Sequence, residues 1–500
     1  MRYIVEPRLK GAEINKNIYG QFSEHLGRCI YGGLFVGKDS KIENVRGIRS
    51  DVVDALKKMG IPNLRWPGGC FADEYHWRDG IGEPSTRKKM INTNWGGVTE
   101  DNSFGTHEFL DLCDQIGCEP YINLNVGSGT VQEMEEWVEY MTSSNLSPMT
   151  ALREKNGRKE PWNVKFLGIG NENWGCGGSM RPEYYSDVYR RYQTFVHQYG
   201  AQKPFKIACG AGTGFKGLNL EWTDVLMKNA AHAMDGLSLH YYTVLGSWEK
   251  KGSATEFTED DYYRTLVRAQ FVEELLSKHD AVMSEYDPDK RIWLILDEWG
   301  TWFDVEPGTN PGFLYQQNTM RDALVAGISL NSLQRHADRV KMANIAQLVN
   351  VLQSPILTEG DKMVLTPTYY AFDLYQKHQQ NTLLGSLLET ESIDTADGGL
   401  KTISETASED KDGNIVITLT NASAKSAASI QLRIDGGRYE YASGRVLTGD
   451  MHDMNTFDEK NAVAPKAFTD VKIAAADDNG TEAEISLPSC SLTELVFKRL

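Results

Sequence analysis

The sequence predicts an α/β chain: a (β/α)8 TIM barrel followed by a C-terminal antiparallel β-sandwich. Three observations lead there. Strand-like apolar runs alternate with helix-like runs from about residue 17 to about residue 380. Those helices stop at a glycine, and a new strand starts soon after. Beyond about residue 385 the texture changes to short β-branched segments separated by Gly, Asp and Asn. A chain of 500 residues is long for one domain and suits a large domain with a smaller companion.

Three junctions carry the barrel prediction. The helix SDVVDALKKMG ends at Gly60 before IPNLRW, HEFLDLCDQIG ends at Gly117 before EPYINLNV, and EYYSDVYRRYQTFVHQYG ends at Gly200 before KPFKIACG. Glycine takes the left-handed position past a helix end, and a nearby proline prevents continuation. The further candidate strands are IYGQFSEH, VKFLGIGN, DGLSLHYY, IWLILDEW and a segment within MANIAQLVNVLQ, making eight in all. Runs such as IWLIL are apolar without alternation, as expected of parallel strands covered on both faces. Eight βα units favour a closed barrel over an open doubly wound sheet. QNTMRDALVAGISLNSLQRHA reads as a barrel-covering helix, and EFTEDDY as a solvated helix start whose acids suit that end of the dipole.

The sandwich prediction rests on NIVITLTNAS, ASIQLRIDG, RYEYASGRVLTG, AFTDVKIAAA, EAEISLP and LTELVFKRL. The first 16 residues are strand-like as well and are expected to join it. The expected domains are therefore a barrel over 17–384 and a sandwich over 1–16 plus 385–500.

Bulk properties exclude several classes. A net charge of −17 and a pI near 5.2 argue against nucleic acid or an anionic membrane as partner. No apolar run is long enough to span a bilayer, and MRYIVEPRLKGAEI lacks a signal-peptide core, so a cytoplasmic location is expected. The seven cysteines are odd in number and scattered, which does not read as a disulfide framework and suits a reducing compartment. Cys113 and Cys118 read as small buried hydrophobes. No GxGxxG, P-loop, HExxH or GxSxG pattern occurs, so dinucleotide, phosphate-loop, zinc-hydrolase and serine-hydrolase chemistry lose support; no metal and no cofactor is expected.

Function in a βα barrel collects at the C-terminal strand ends. Those ends carry Glu24 and His25; Arg65, Trp66, Cys70 and Phe71; Asn123 and Asn125; Asn171 and Glu172; His240, Tyr241 and Tyr242; Glu298 with Trp302 beyond it; and Asn350 and Gln353. Amides and carboxylates bond sugar hydroxyls, and aromatic faces cover sugar C–H surface. Two glutamates, each directly after a buried strand, make a pair suited to acid/base and nucleophilic work. The plainer alternative is that Glu172 and Glu298 are structural carboxylates paired to Arg65 or Arg28. His25, His76 and His240 read as supporting hydrogen-bond partners, and Trp174 and Trp299 as packing residues.

The segments FSEHLGRCIYGG, RWPGGCFADEYHW, GNENWGCGG, HYY, DEWGTW and VNVLQ together resemble glycoside hydrolase family 51, the α-L-arabinofuranosidases, across essentially the whole chain. The resemblance implies a barrel with a jelly-roll-like sandwich, a retaining mechanism, arabinose-containing oligosaccharides as substrate and a homo-oligomer, often a hexamer. It makes Glu172 the general acid/base and Glu298 the nucleophile. Asn171 then bonds the sugar 2-OH, Glu24 binds arabinose hydroxyls, Tyr242 stands against the nucleophile, and Trp95 and Trp302 shape the pocket. Cys70 and Phe71 follow WPGG, where some members carry Asn in place of Cys70. A thiol is a poor partner for a hydroxyl, so either backbone groups of Gly69–Phe71 serve or the contacts differ. Gln353 is a further substrate-binding candidate. The alternatives are an endo-glucanase or xylanase of the same clan, and a non-catalytic sugar-binding protein.

Overall fold

A computed structural model describes all 500 residues. Eight parallel strands close into a barrel: Gly20–Phe22, Asn63–Trp66, Glu119–Leu124, Phe166–Ile169, Phe205–Ala208, Gly236–Thr243, Trp293–Thr301 and Val340–Ala346. The last returns to pair with the first, Asn344 opposite Gly20. Tyr121, Phe166, Ile207, Ile295 and Met342, from five of these strands, meet in a fully buried cluster. Such layers of side chains make the barrel a packed core with function confined to its rim.

The helices Ser50–Met59 and Thr106–Ile116 end as the glycines predict, with Gly60 at φ 67° and Gly117 at φ 84°. The third junction differs: the helix Pro182–Thr194 ends at Phe195, and Gly200 is not its cap. Here Phe195 and Val196 donate three residues back, to Tyr192 and Gln193, so the last turn tightens and Val196 leaves the axis into the core. The helix Met320–Arg335 is buried from Met320 to Gln334. It covers the barrel on one side and meets the second domain on the other: a methyl at Gly327 would stand 2.7 Å from Leu492 Cδ2.

That second domain is one ten-stranded sheet wrapped around an apolar core of 20 residues. Neighbouring strands are antiparallel with one exception: Arg2–Glu13 runs antiparallel to Thr382–Glu389 and parallel to Ala428–Asp435. The N-terminal strand arrives without a hairpin, so no tight turn dictates its direction on that side. No helix is long and apolar enough to cross a membrane.

Candidate active site

The rim at the C-terminal strand ends brings Glu24, Asn171, Glu172, Tyr242 and Glu298 together. Carboxylate oxygens of Glu172 and Glu298 and a ring nitrogen of His240 all lie within 4.8 Å of one another. Tyr242 donates to Glu298 Oε2 at 2.8 Å. Arg65, fully buried, donates from Nη1 to Glu298 Oε1 at 2.8 Å and from Nη2 to Asn171 Oδ1 at 2.6 Å. The Arg65 pairing of the structural alternative is thus present, and it serves the cluster; Arg28 instead donates to Thr358 O. The Asn171 amide nitrogen is buried and has no partner within the protein.

A local irregularity makes this geometry possible. The sixth and seventh strands pair Leu239 with Leu296 and then His240 with Glu298, so Asp297 is an extra residue on the seventh strand. Alternation would send Asp297 and Glu298 to opposite faces; the bulge aims both at the barrel interior. Asp297 there accepts from Tyr121 at 2.7 Å and lies 3.6 Å from Arg65 Nε and 3.3 Å from His240 Nε2. The other ring nitrogen of His240 is 2.9 Å from Glu172 Oε1 and 3.5 Å from Glu298 Oε2.

Glu172 itself sits at φ 41°, in the left-handed region that a side chain disfavours. The surroundings hold it there. Gly175 and Gly177 donate to its carbonyl at 2.7 and 3.1 Å, Asn171 N donates to Asp73 Oδ2 at 3.0 Å, and Asn173 Nδ2 donates to Gly177 O at 2.7 Å. Asp73 also accepts from Val126 N and Gly127 N, both at 2.8 Å, which ties the loops after the second, third and fourth strands into one support.

The glycines of WPGG let backbone approach the carboxylates. A methyl at Gly68 would lie 2.4 Å from Glu24 Cγ, and one at Gly69 would lie 2.8 Å from Glu298 Oε1. Beyond them Phe71 N donates to Glu24 Oε1 at 3.1 Å. Trp95, on the turn between strands Met90–Asn92 and Val98–Glu100, donates from Nε1 to the same oxygen at 2.9 Å. Gln347 donates to Glu24 Oε2 at 2.7 Å. Trp302 stands edge-on to Tyr242, with ring centroids 4.9 Å apart.

Three expectations require correction. Cys70 is not a free thiol: it forms a disulfide with Cys176, across the loops after the second and fourth strands. The spread of cysteines in sequence hid a pair that the barrel brings together. Its sulfurs lie 3.9 and 3.6 Å from Glu172 Oε2 and have no proton to donate. Gln353 has both ends of its amide committed elsewhere, to Thr301 N at 2.8 Å and Asp322 O at 2.7 Å; Gln347 is the amide of that region that reaches the cluster. The Phe71 ring packs inward against His25, 4.7 Å between centroids, and only its backbone N–H serves the rim. Asp297 and Gln347 were absent from the sequence-based site, and Arg65 stood in it only as a rim residue and a structural partner of the glutamates. The adjacent acids of DEWG were the available signal for Asp297; nothing in the sequence distinguishes Gln347 from Gln353.

Burial pushes Glu172 up from its ordinary value and Glu298 adds to this, while His240 pulls it back. Burial disfavours the His240 imidazolium, yet Glu298, Asp297 and Glu172 outweigh it and raise the ring to about 10. Burial, then the nearby Glu298 charge, raises Glu24 to about 7 against the pull of its three donors. Asp297 is also penalised by burial, but Arg65 and His240 hold it below the usual carboxylate range.

Comparison with known proteins points to one family. Residues 55–247 match the model of the α-L-arabinofuranosidase 1 domain, and residues 297–491 match that of the α-L-arabinofuranosidase C-terminal domain. The chain is 55% identical over 484 residues to an intracellular exo-α-L-arabinofuranosidase of Bacteroides ovatus, covering 96% of this chain and 92% of that protein. The crystal structure of a GH51 arabinofuranosidase from Xanthomonas axonopodis pv. citri superposes with a TM-score of 0.96 at 46% identity, covering 99% of this chain and all of that one. An α-L-arabinofuranosidase from Thermotoga maritima, solved as an arabinose complex, gives 0.86 at 32% identity over the whole of both chains.

Proposed function

The chain belongs to the α-L-arabinofuranosidases of glycoside hydrolase family 51, and from that premise we propose that it removes terminal non-reducing α-L-arabinofuranosyl residues from arabinoxylan- or arabinan-derived oligosaccharides by double displacement. The observation that carries the retaining reading is the spacing of the two carboxylates, with oxygens within 4.8 Å of one another. Retaining glycosidases hold the pair about 5–5.5 Å apart, whereas inverting ones leave about 6.5–9.5 Å for a water.

Glu298 attacks the anomeric carbon as the bond to the leaving oxygen breaks, and Glu172 gives its proton to that oxygen. Burial and the nearby Glu298 carboxylate favour the protonated form of Glu172 beforehand. Esterification of Glu298 removes the charge that raised Glu172, so Glu172 stays ionised after protonating the leaving oxygen and can take a proton from water. The water oxygen then attacks the same carbon and expels Glu298. One glycosidic bond and one water become two hydroxyl groups, with configuration retained. Arg65 and Tyr242 orient Glu298, and His240 orients Glu172. Asn171, with its free amide nitrogen, binds the 2-OH, and Glu24 accepts from the other sugar hydroxyls.

The barrel, 17–384, carries the catalysis; residues 1–16 with 385–500 form its companion. Like the intracellular relative of Bacteroides ovatus, the protein acts inside the cell on imported oligosaccharides, as a homo-oligomer, hexameric by family analogy. Light scattering of the purified protein tests the last point: a monomeric mass would refute it.

The decisive test is hydrolysis of p-nitrophenyl α-L-arabinofuranoside by wild type and by Glu172→Ala, with and without azide. The expected result is turnover by wild type and slow turnover by the variant, rescued as α-arabinofuranosyl azide, because azide replaces water on the β-linked glycosyl-enzyme. A β-configured azide product would overturn the retaining assignment, and release from β-glucan or xylan alone would overturn the substrate.

A further inference from the structure

The Cys70–Cys176 bond joins the loops after the second and fourth strands beside the carboxyl group of Glu172. Its sulfurs lie 3.9 and 3.6 Å from a single oxygen, Glu172 Oε2. The three atoms all lie within 4.8 Å of one another. Cys176 is exposed, so the bond is open to a reductant from solvent. The other five cysteines are free thiols. In the reducing interior of a cell this bond is the part of the site whose covalent state depends on the surroundings.

Reduction changes what these atoms can do. A thiol or phosphine reductant delivers two electrons: the S–S bond breaks, each sulfur takes a proton, and the reductant leaves as its disulfide or phosphine oxide. Two thiols then face one carboxylate oxygen. Zinc holds thiolate sulfur at about 2.3 Å and carboxylate oxygen at about 2.0–2.2 Å in a tetrahedron. The sulfur–oxygen edge of that tetrahedron is about 3.5 Å, close to the two separations the protein already has. Only the sulfurs must part. The second oxygen of Glu172 is 2.9 Å from His240 Nδ1, a partner of the kind that orients a metal-binding carboxylate. Soft sulfur ligands favour zinc over magnesium or calcium.

We propose that, once reduced, Cys70 and Cys176 form with Glu172 Oε2 a site for a soft divalent cation such as zinc, which arrests hydrolysis by occupying the acid/base. Two thiols, the Glu172 carboxylic acid and the cation become two metal–sulfur bonds, one metal–oxygen bond and three released protons. The disulfide withholds the sulfur ligands and leaves Glu172 free to work. The effect on hydrolysis rests on the proposed function; the metal binding does not.

The test uses the intact protein, either untreated or reduced under argon with a phosphine that is removed before metal is added. Cobalt(II) should bind the reduced protein with a thiolate-to-cobalt charge-transfer band in the near ultraviolet. The untreated protein should show no band, and reduced Cys176→Ser should lose most of it. Zinc at ten times its dissociation constant, obtained by competition with cobalt, should slow hydrolysis of p-nitrophenyl α-L-arabinofuranoside by the reduced protein about tenfold. EDTA should restore the rate, and the untreated protein should be unaffected. No band in the reduced protein, a full band in Cys176→Ser, or equal zinc inhibition of the two redox forms overturns the site. A band in the reduced protein with no hydrolysis by the untreated protein would uphold the metal site and overturn the proposed function instead.

Discussion

At the rim of the barrel, Arg65, His240, Asp297, Glu24 and Glu298 are buried as a cluster of charges and acids; against the sheet domain, Asn331, Tyr375, Thr406, Thr418 and His378 are buried as well, and none of them carries a charge in its resting state. Asn331 Oδ1 accepts from Tyr375 at 3.0 Å, Thr406 at 3.0 Å and Thr418 at 3.1 Å, and its nitrogen donates to Ser404 at 3.1 Å. His378 spends both ring nitrogens on Ser408 and Thr418. The domain contact satisfies its polar groups internally, which is what a structural network needs. The rim leaves Asn171 Nδ2 and Arg65 Nε without hydrogen bonds and stacks acids around one imidazole. The difference teaches that burial alone does not mark a site; buried groups held charged and under-satisfied do.

The largest effect that would break this contrast is at Glu298. Glu298→Ala should lower turnover at least about 10⁴-fold while the far-UV spectrum stays that of wild type. Near-normal hydrolysis would make Glu298 one more structural carboxylate.

His240 sharpens the comparison. His240→Gln removes the positive charge that pulls Glu172 down, so Glu172 rises further. The basic limb of kcat/KM, which reports the proton on the acid, should move to higher pH, and kcat should fall about 10²-fold. A pH profile that keeps its shape would assign His240 to packing alone.

On the other side of the contrast, Asn331→Leu should leave catalysis intact and cost about 1–3 kcal/mol, because Tyr375, Thr406 and Thr418 lose their shared acceptor. Urea unfolding measures it, and an unchanged midpoint would show the network to be dispensable.

The smallest expected effect concerns His378, which burial depresses to about 3 from 6.5. The folded state resists the proton that the unfolded chain accepts below pH 6.5. Stability is therefore complete above that value and falls as pH drops from 6.5 toward 3, by about 2 kcal/mol between pH 6.5 and 5. Replacement by Gln should reduce the wild-type loss over that window; an identical loss in both proteins would place the acid sensitivity elsewhere.

The sequence by itself determined the eight strands, because parallel strands covered on both faces are apolar without alternation, and it placed Glu24, Asn171, Glu172, Tyr242 and Glu298 at their ends. It also determined two helix stops, since Gly60 and Gly117 adopt a conformation other residues disfavour. Tertiary structure alone decided the rest. The bulge that turns Asp297 inward exists only in the pairing of two strands far apart in the chain. The Cys70–Cys176 bond depends on where two loops end on a closed rim. The choice of Gln347 over Gln353 and the proton on His240 depend on what stands within a few ångströms. Periodicity and backbone preference are local and legible in order along the chain; register, proximity and electrostatics arise from residues that the chain separates and the fold unites.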